Sequence, residues 1–196
     1  MTLKTKVIVS EITNLSDARY CAGMGVDYIG FRLDEGHEKY IDLKNYQDIT
    51  GWVAGVEVLG ETNQPDSIQA EYEPNSLLID NIDTLKTYVG DPVYWRISTD
   101  RLDDFKTDLI DHKSKIAGLI VDGRDSDDPL VHSGAISKMS EDYDVYLGFG
   151  ITTDSVDEIV RNLPIKGLAL KGGEEIRPGY KDYDLADILE LIELED

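Results

Sequence analysis

Ile116-Ala-Gly-Leu-Ile-Val-Asp122 is an apolar run that ends in a carboxylate. Its centre, Gly118-Leu-Ile-Val121, is apolar at consecutive rather than alternating positions, the pattern of a parallel strand covered on both faces. Working outward, seven further β-branched or aromatic runs read as strands: Lys6–Ser10, Asp27–Leu33, Trp52–Leu59, Ser76–Ile79, Val93–Ser98, Val145–Gly148 and Ile165–Leu170. Amphipathic stretches lie between them, clearest at Asp100–His112, Asp154–Asn162 and Tyr183–Glu193, with a further helix at Ser16–Met24. Strands alternating with helices imply parallel crossovers, and eight such units predict an α/β fold, a single compact parallel (β/α)8 TIM barrel filling residues 1–196 as one domain. An open doubly wound sheet shares the periodicity, so the count of units favours the barrel without proving it. At 196 residues the chain sits at the lower size limit of such barrels, which requires trimmed helices and loops. The stretch Thr62–Pro74 predicts a short helix at best.

The 40 acidic against 19 basic residues give a formal charge of −21, which repels phosphate backbones and anionic headgroups, so neither nucleic acid nor membrane is expected as a partner. An anionic small molecule is still compatible, because backbone N–H groups at helix N-termini bind phosphate locally. The single cysteine, Cys21, excludes an internal disulfide and any multi-thiolate metal site, and reads as a buried free thiol. Met1–Ile8 carries no apolar secretion segment, and no run approaches a membrane span, so a soluble cytoplasmic protein is expected.

Barrel active sites lie at the C-terminal ends of the strands. Those ends hold Ser10 and Glu11, Arg32 to Lys39, Asp80, Asp122, Gly148 to Thr152, and Lys171 to Glu175. Leu147-Gly-Phe-Gly150 and Lys171-Gly-Gly173 are the strongest local signal, since glycines bring N–H groups close to an anion. Gly148, Gly150, Gly172 and Gly173 are therefore the candidate phosphate-binding residues; the competing reading is that they only make tight turns. Asp122 is either a general acid or base or the partner of a cation. Asp125, Asp127 and Asp128 read as a solvated loop, and no metal or other cofactor is expected. Arg96 in Val93-Tyr-Trp-Arg-Ile97 and Glu57 in Ala54-Gly-Val-Glu-Val58 interrupt apolar strands. A buried charge needs a partner, so Arg96 either pairs with Glu57 across the interior or contacts substrate. His37, His112 and His132 have no metal-ligand spacing and read as exposed.

Two segments together resemble one family. Ile8-Val-Ser-Glu-Ile-Thr-Asn-Leu-Ser-Asp-Ala18, followed by Ala22-Gly-Met-Gly-Val-Asp-Tyr-Ile-Gly-Phe31, is similar to the opening of phosphoribosylanthranilate isomerase, a tryptophan-biosynthesis barrel. Gly173-Glu-Glu-Ile-Arg-Pro-Gly-Tyr-Lys-Asp-Tyr-Asp184 resembles its closing segment, and the likeness is weak between about Thr62 and Ser114. The resemblance implies an Amadori rearrangement, with an acid opening the furanose and a base removing the C2′ proton. Asp122 falls on the family's acid. The family's base, a cysteine followed by glycine at the end of strand 1, is replaced by Ser10 and Glu11. Lys39 stands where an arginine would bind the anthranilate carboxylate, and Ala169 where the family has an aspartate in strand 8.

A serine hydroxyl without an adjacent base is too weak an acid to replace a thiolate. The expectation is a divergent relative that keeps a phosphosugar site, with Lys39 and Arg96 as substrate contacts, and has weak or lost isomerase activity. Two alternatives remain: an active isomerase with Asp122 as acid and Glu11 as base, which would be an intramolecular aldose–ketose isomerase acting on a phosphoribosyl amine, or a non-catalytic module binding a metabolite or protein.

Overall fold

Consecutive apolar residues along the strands serve two separate cores. Val7, Val9, Ile29, Phe31, Trp95, Leu119 and Val121 point outward into the layer beneath the helices, whereas Ile8, Leu59, Leu78, Tyr94, Ile120, Tyr146 and Ala169 fill the interior of a closed barrel. The computed structural model describes residues 2–102, 106–124, 127–172, 175–177, 180–181 and 184–194. Its barrel strands are β1 (Lys6–Ser10), β2 (Tyr28–Arg32), β3 (Glu57–Glu61), β4 (Ser76–Ile79), β5 (Val93–Ser98), β6 (Ile116–Asp122), β7 (Val145–Leu147) and β8 (Gly167–Lys171). They run in chain order, all parallel, and β1 closes on β8 with Ile8 opposite Ala169. A short antiparallel pair, β9 (Glu175–Arg177) and β10 (Tyr180–Lys181), follows β8.

The connections are trimmed as the chain length demands. Helices α1 (Leu15–Met24), α2 (Leu43–Thr50), α3 (Ile82–Thr87), α4 (Lys106–Asp111), α5 (Ser133–Ser140), α6 (Val156–Asn162) and α7 (Asp184–Leu191) are each three turns or fewer. Among the described residues Asn14, Asp42 and Asn81 cap α1, α2 and α3, accepting from backbone N–H groups of the first turn. Between β3 and β4 only two 3-10 turns stand, Pro65–Ser67 and Ala70–Tyr72, so Thr62–Pro74 contains less helix than its sequence allowed. Among the described residues no helix is long and apolar enough to cross a membrane.

The third strand departs most from its sequence-based bounds. Trp52 is 72% exposed and Gly55 turns the chain at φ +77°, so the strand starts at Glu57 and runs on to Glu61. This shift places Glu57, exposed, at the N-terminal end of the barrel and puts Glu61 at the opposite, C-terminal mouth. The Arg96–Glu57 pair is thereby overturned.

Low in the interior, Tyr94 packs against Tyr28 and Tyr146 with ring centroids 5.3 and 5.9 Å apart. Burial pushes the Tyr146 hydroxyl up to about 12, and that of Tyr94 also upward. Cys21 lies on the buried face of α1, where burial pushes its thiol up to about 12 and leaves it unreactive at neutral pH.

Candidate functional site

The inward-facing residues at the strand C-termini are polar, and they form one interlocked charge network. Arg32 and Glu61 lie opposite one another in the β2–β3 register. Arg32 Nη2 is 3.3 Å from Glu61 Oε2, and its Nη1 donates to Asp80 Oδ2 at 2.7 Å. Arg96 approaches the same two carboxylates from β5, donating to Asp80 Oδ1 at 3.1 Å and to Glu61 Oε2 at 3.3 Å. Its Nη2 also donates to Ser10 Oγ at 2.9 Å. Glu61 is 0% exposed, and its Oε1 accepts the Glu11 N–H at 2.8 Å. Burial works against the Arg96 charge, but the carboxylates of Glu61, Asp80 and Asp122 outweigh it and hold the guanidinium firmly protonated.

Gly30 makes room for this arrangement. A Cβ at that position would stand 2.3 Å from Glu61 Oε1 and 3.3 Å from Ser10 Cα, so the carboxylate occupies the volume that a side chain on β2 would take. Two guanidiniums and the carboxylates of Glu61, Asp80 and Glu11 thus satisfy one another across β1 to β5. Among the described residues, Arg32 Nε is a buried donor with no protein partner.

Ser10, fully buried, is an acceptor for Arg96 rather than a hydroxyl facing a base. Glu11 has φ +60°, a left-handed conformation that suits the glycine the family resemblance implies there. Its carboxylate turns to the mouth, 3.8 Å from Arg32 Nη2 and 20% exposed. Glu11→Gly is expected to stabilise the protein by about 1 kcal/mol through release of this backbone strain, read as a higher urea midpoint at unchanged slope. A lower midpoint would mean that the contact with Arg32 outweighs the strain.

Asp122 stands at the end of β6, its Oδ1 accepting the Gly123 N–H at 2.9 Å and its Oδ2 lying 3.6 Å from Lys171 Nζ. A cavity of about 600 Å³ opens over β5 and β6, with Asp80, Arg96 and Asp122 at its floor and Ser98, Thr99, Asp100, Arg101, Arg124, Asp127 and His132 among its walls. A second, of about 340 Å³, lies between the ends of β7 and β8 and is lined by Gly148, Gly150, Thr152, Ala169, Lys171 and residues of α7.

The structure brings Ser10, Glu11 and Arg96 together, with Asp122 close enough to act on the Arg96 charge. Lys39 lies in the β2–α2 loop, where its N–H donates to His37 Nδ1 at 3.1 Å. The cation that enters the mouth from β2 is Arg32. Of the glycines, Gly148 and Gly172 spend their N–H groups on Val121 and Ser10 carbonyls, at 2.8 and 2.7 Å, and Gly150 makes a turn at φ +63°. Gly173, Glu174 and Asp125 lie outside the described residues. Asp127 pairs with Arg124, and Asp128 caps the 3-10 turn Pro129–His132, so both have structural partners. His112 and His132 are half-buried rather than exposed, and the His132 ring meets Phe149 edge-on at 5.8 Å between centroids.

Sequence reasoning placed Arg32 and Lys171 at strand ends without giving either a role, and it missed Glu61. Arg32 carried a usable signal, a charge closing the apolar run Tyr28-Ile-Gly-Phe-Arg32, the same signal that singled out Arg96.

No family model matches this chain, and no curated protein sequence matches it. Solved structures do. Phosphoribosylanthranilate isomerase from Thermotoga maritima superposes with a TM-score of 0.73 at 16% identity, over 95% of this chain and 97% of that one. A phosphoribosylanthranilate isomerase in complex with reduced 1-(o-carboxyphenylamino)-1-deoxyribulose 5-phosphate gives 0.72 at 17% identity, over 94% and 96%. The enzyme from Thermus thermophilus gives 0.67 at 20%, over 95% and 97%. At these identities the likeness shows the fold: a (β/α)8 barrel of the shape these isomerases have.

Proposed function

We propose that this barrel binds a phosphorylated small molecule at its strand C-termini and does not carry out the proton abstraction of phosphoribosylanthranilate isomerase. The observation that carries the reading is the Arg96–Ser10 contact. At the position of the family's base the chain offers a buried hydroxyl that accepts a hydrogen bond from a guanidinium, and among the described residues it donates to no basic group that would take its proton. Glu11 is the remaining candidate base, and its carboxylate lies 3.8 Å from Arg32 Nη2.

Support for a phosphorylated ligand comes from the opposite half of the mouth. Lys171 stands at the border of the cavity between β7 and β8, the region where barrels of this kind commonly hold phosphate. A neighbour of the same fold is in complex with a phosphorylated ligand. Asp122 and Lys171 would then meet the ligand beside its phosphate.

The test is incubation of the purified protein with phosphoribosylanthranilate, with product measured by chromatography, beside a thermal melt with ribose 5-phosphate. The expected result is a raised melting temperature with ribose 5-phosphate and isomerisation at least about 10⁴-fold below ordinary enzyme turnover. Turnover at ordinary rates that is abolished in Glu11→Gln would establish the active-isomerase reading instead.

A further inference from the structure

The cavity of about 600 Å³ holds two proton carriers, Asp122 at its floor and His132 in its wall. Asp122 ends β6 with Ser98 of β5 beside it in the parallel register, so the two side chains share the inward face. One Asp122 oxygen accepts the Gly123 N–H at 2.9 Å, and the other lies 3.6 Å from Lys171 Nζ, beyond hydrogen-bond reach. The carboxylate is thus left with an oxygen for a ligand.

The loop after β6 brings His132 back to the same cavity. Asp128 caps the 3-10 turn Pro129–His132 by accepting the Leu130 N–H at 2.9 Å, and Pro129 and the Asp127 carbonyl lie against Gly150, so the turn is anchored over the end of β7. The His132 ring meets Phe149 edge-on at 5.8 Å between centroids. Phe149 in turn packs so closely on the end of β6 that a Cβ on Gly123 would stand 2.9 Å from its Cγ. One aromatic ring therefore separates the imidazole from the chain beside Asp122, a gap that a small ligand spans. Among the described residues neither nitrogen of the His132 ring has a hydrogen-bond partner.

Imidazole carries and releases a proton near neutral pH, and a carboxylate accepts one. Such a pair moves protons between oxygens far more readily than it takes one from carbon, because a hydroxyl is a much stronger acid than a C–H group beside a carbonyl. Ser98 and Thr99 add hydroxyls to the wall, which suits a polyhydroxylated ligand.

We propose that Asp122 and His132 form an acid–base pair that opens and recloses the ring of a cyclic hemiacetal sugar seated between them, interconverting its anomers. The Asp122 carboxylate takes the proton of the anomeric hydroxyl, whose O–H pair becomes the second bond of the aldehyde. The bond from the anomeric carbon to the ring oxygen breaks, and its electron pair takes the proton that the His132 imidazolium gives up. Reclosure on the other face of the aldehyde reverses both transfers, and nothing is oxidised or reduced. This activity goes beyond the binding reading and does not depend on where a phosphate sits.

NMR saturation transfer between the anomers of D-ribose and of ribose 5-phosphate, recorded with the full chain in matched buffer, tests it. The exchange rate of at least one bound sugar is expected to exceed that in buffer by about 100-fold or more, and His132→Gln to lose at least about ten-fold of the gain at an unchanged melting temperature. Asp122→Asn is expected to lose as much, and it carries the test if His132→Gln does not fold. No acceleration with either sugar, or full acceleration in His132→Gln, overturns the proposal. A melt shift with ribose 5-phosphate in those same samples leaves the phosphorylated-ligand reading standing, and its absence overturns that reading as well. Deuterium incorporated at C2 of either sugar in D2O would mean that the site takes protons from carbon, which overturns the oxygen-to-oxygen step.

Discussion

Glu61→Gln is expected to lower the stability of the folded protein by about 3 kcal/mol, the loss typical of breaking a buried ion network by neutralising one member. Among the described residues, Glu61 is the only group that contacts both arginines and the backbone of Glu11 at once, through Oε2 to Arg32 and Arg96 and through Oε1 to the Glu11 N–H. The amide keeps the shape and the acceptor but turns donors toward two guanidiniums. Asp80 still bridges those guanidiniums, which is why the loss stays near the lower end of the range. For a chain of this length the melting temperature should fall by roughly 6–12 °C. Urea melts monitored by circular dichroism would measure it, and a change below about 1 kcal/mol would mean that water already compensates these charges. A companion replacement of Arg32, Glu61, Asp80 and Arg96 together by apolar residues separates the cost of an unpaired charge from the worth of the network, since fully apolar substitution of buried ion clusters is often neutral or stabilising.

That network also marks where the sequence stopped being readable. The runs Lys6–Ser10, Ser76–Ile79, Val93–Ser98 and Ile116–Asp122 coincide with observed strands because burial on both faces leaves a largely apolar signature, which Arg96 alone breaks in the interior of Val93–Ser98. The β3 boundaries slipped because Trp52-Val-Ala carries strand-forming residues that end up outside the barrel, before the turn at Gly55. Arg96 was legible as a charge that must find a partner, but the partner was not. β3 and β5 are separated by β4, and a contact between Glu61 and Arg96 exists only once closure brings their inward residues to the same height at the mouth. Local pattern reports which face a residue takes; it carries no information about which residue of a non-neighbouring strand will stand opposite. Lys39 and Arg32 make the same point, since both are cations at or beyond the end of β2, and it is Arg32's inward register opposite Glu61 that brings it into the site.

The glycines at the ends of β7 and β8 looked equivalent in sequence, and the packing around them separates them. Gly150→Ala is expected to cost about 3 kcal/mol, combining the left-handed backbone penalty with a steric one. At φ +63° its Cβ would stand 2.3 Å from the Asp127 carbonyl oxygen and 2.6 Å from Pro129 Cδ, so the loop after β6 crosses directly over this residue. Backbone and a proline ring cannot give way as a flexible side-chain tip would, and the fold itself accounts for a glycine here. Gly148 differs. A Cβ there would find its nearest neighbours at 3.4 Å, the carbonyl oxygens of Ala169 and Val121, which is ordinary contact. Gly148→Ala should therefore alter stability by less than about 1 kcal/mol. Nothing in the fold demands that Gly148 lack a side chain, yet it lines the cavity between β7 and β8. If that cavity holds the phosphate, the added methyl group intrudes on the ligand, and ribose 5-phosphate affinity should fall about ten-fold while the melting temperature of the free protein barely moves. Measured side by side, the two alanine variants assign one glycine to the turn and the other to the ligand. Unchanged binding in Gly148→Ala would take the phosphate away from this end of the barrel, and a wild-type melt of Gly150→Ala would mean that the crossing loop can yield.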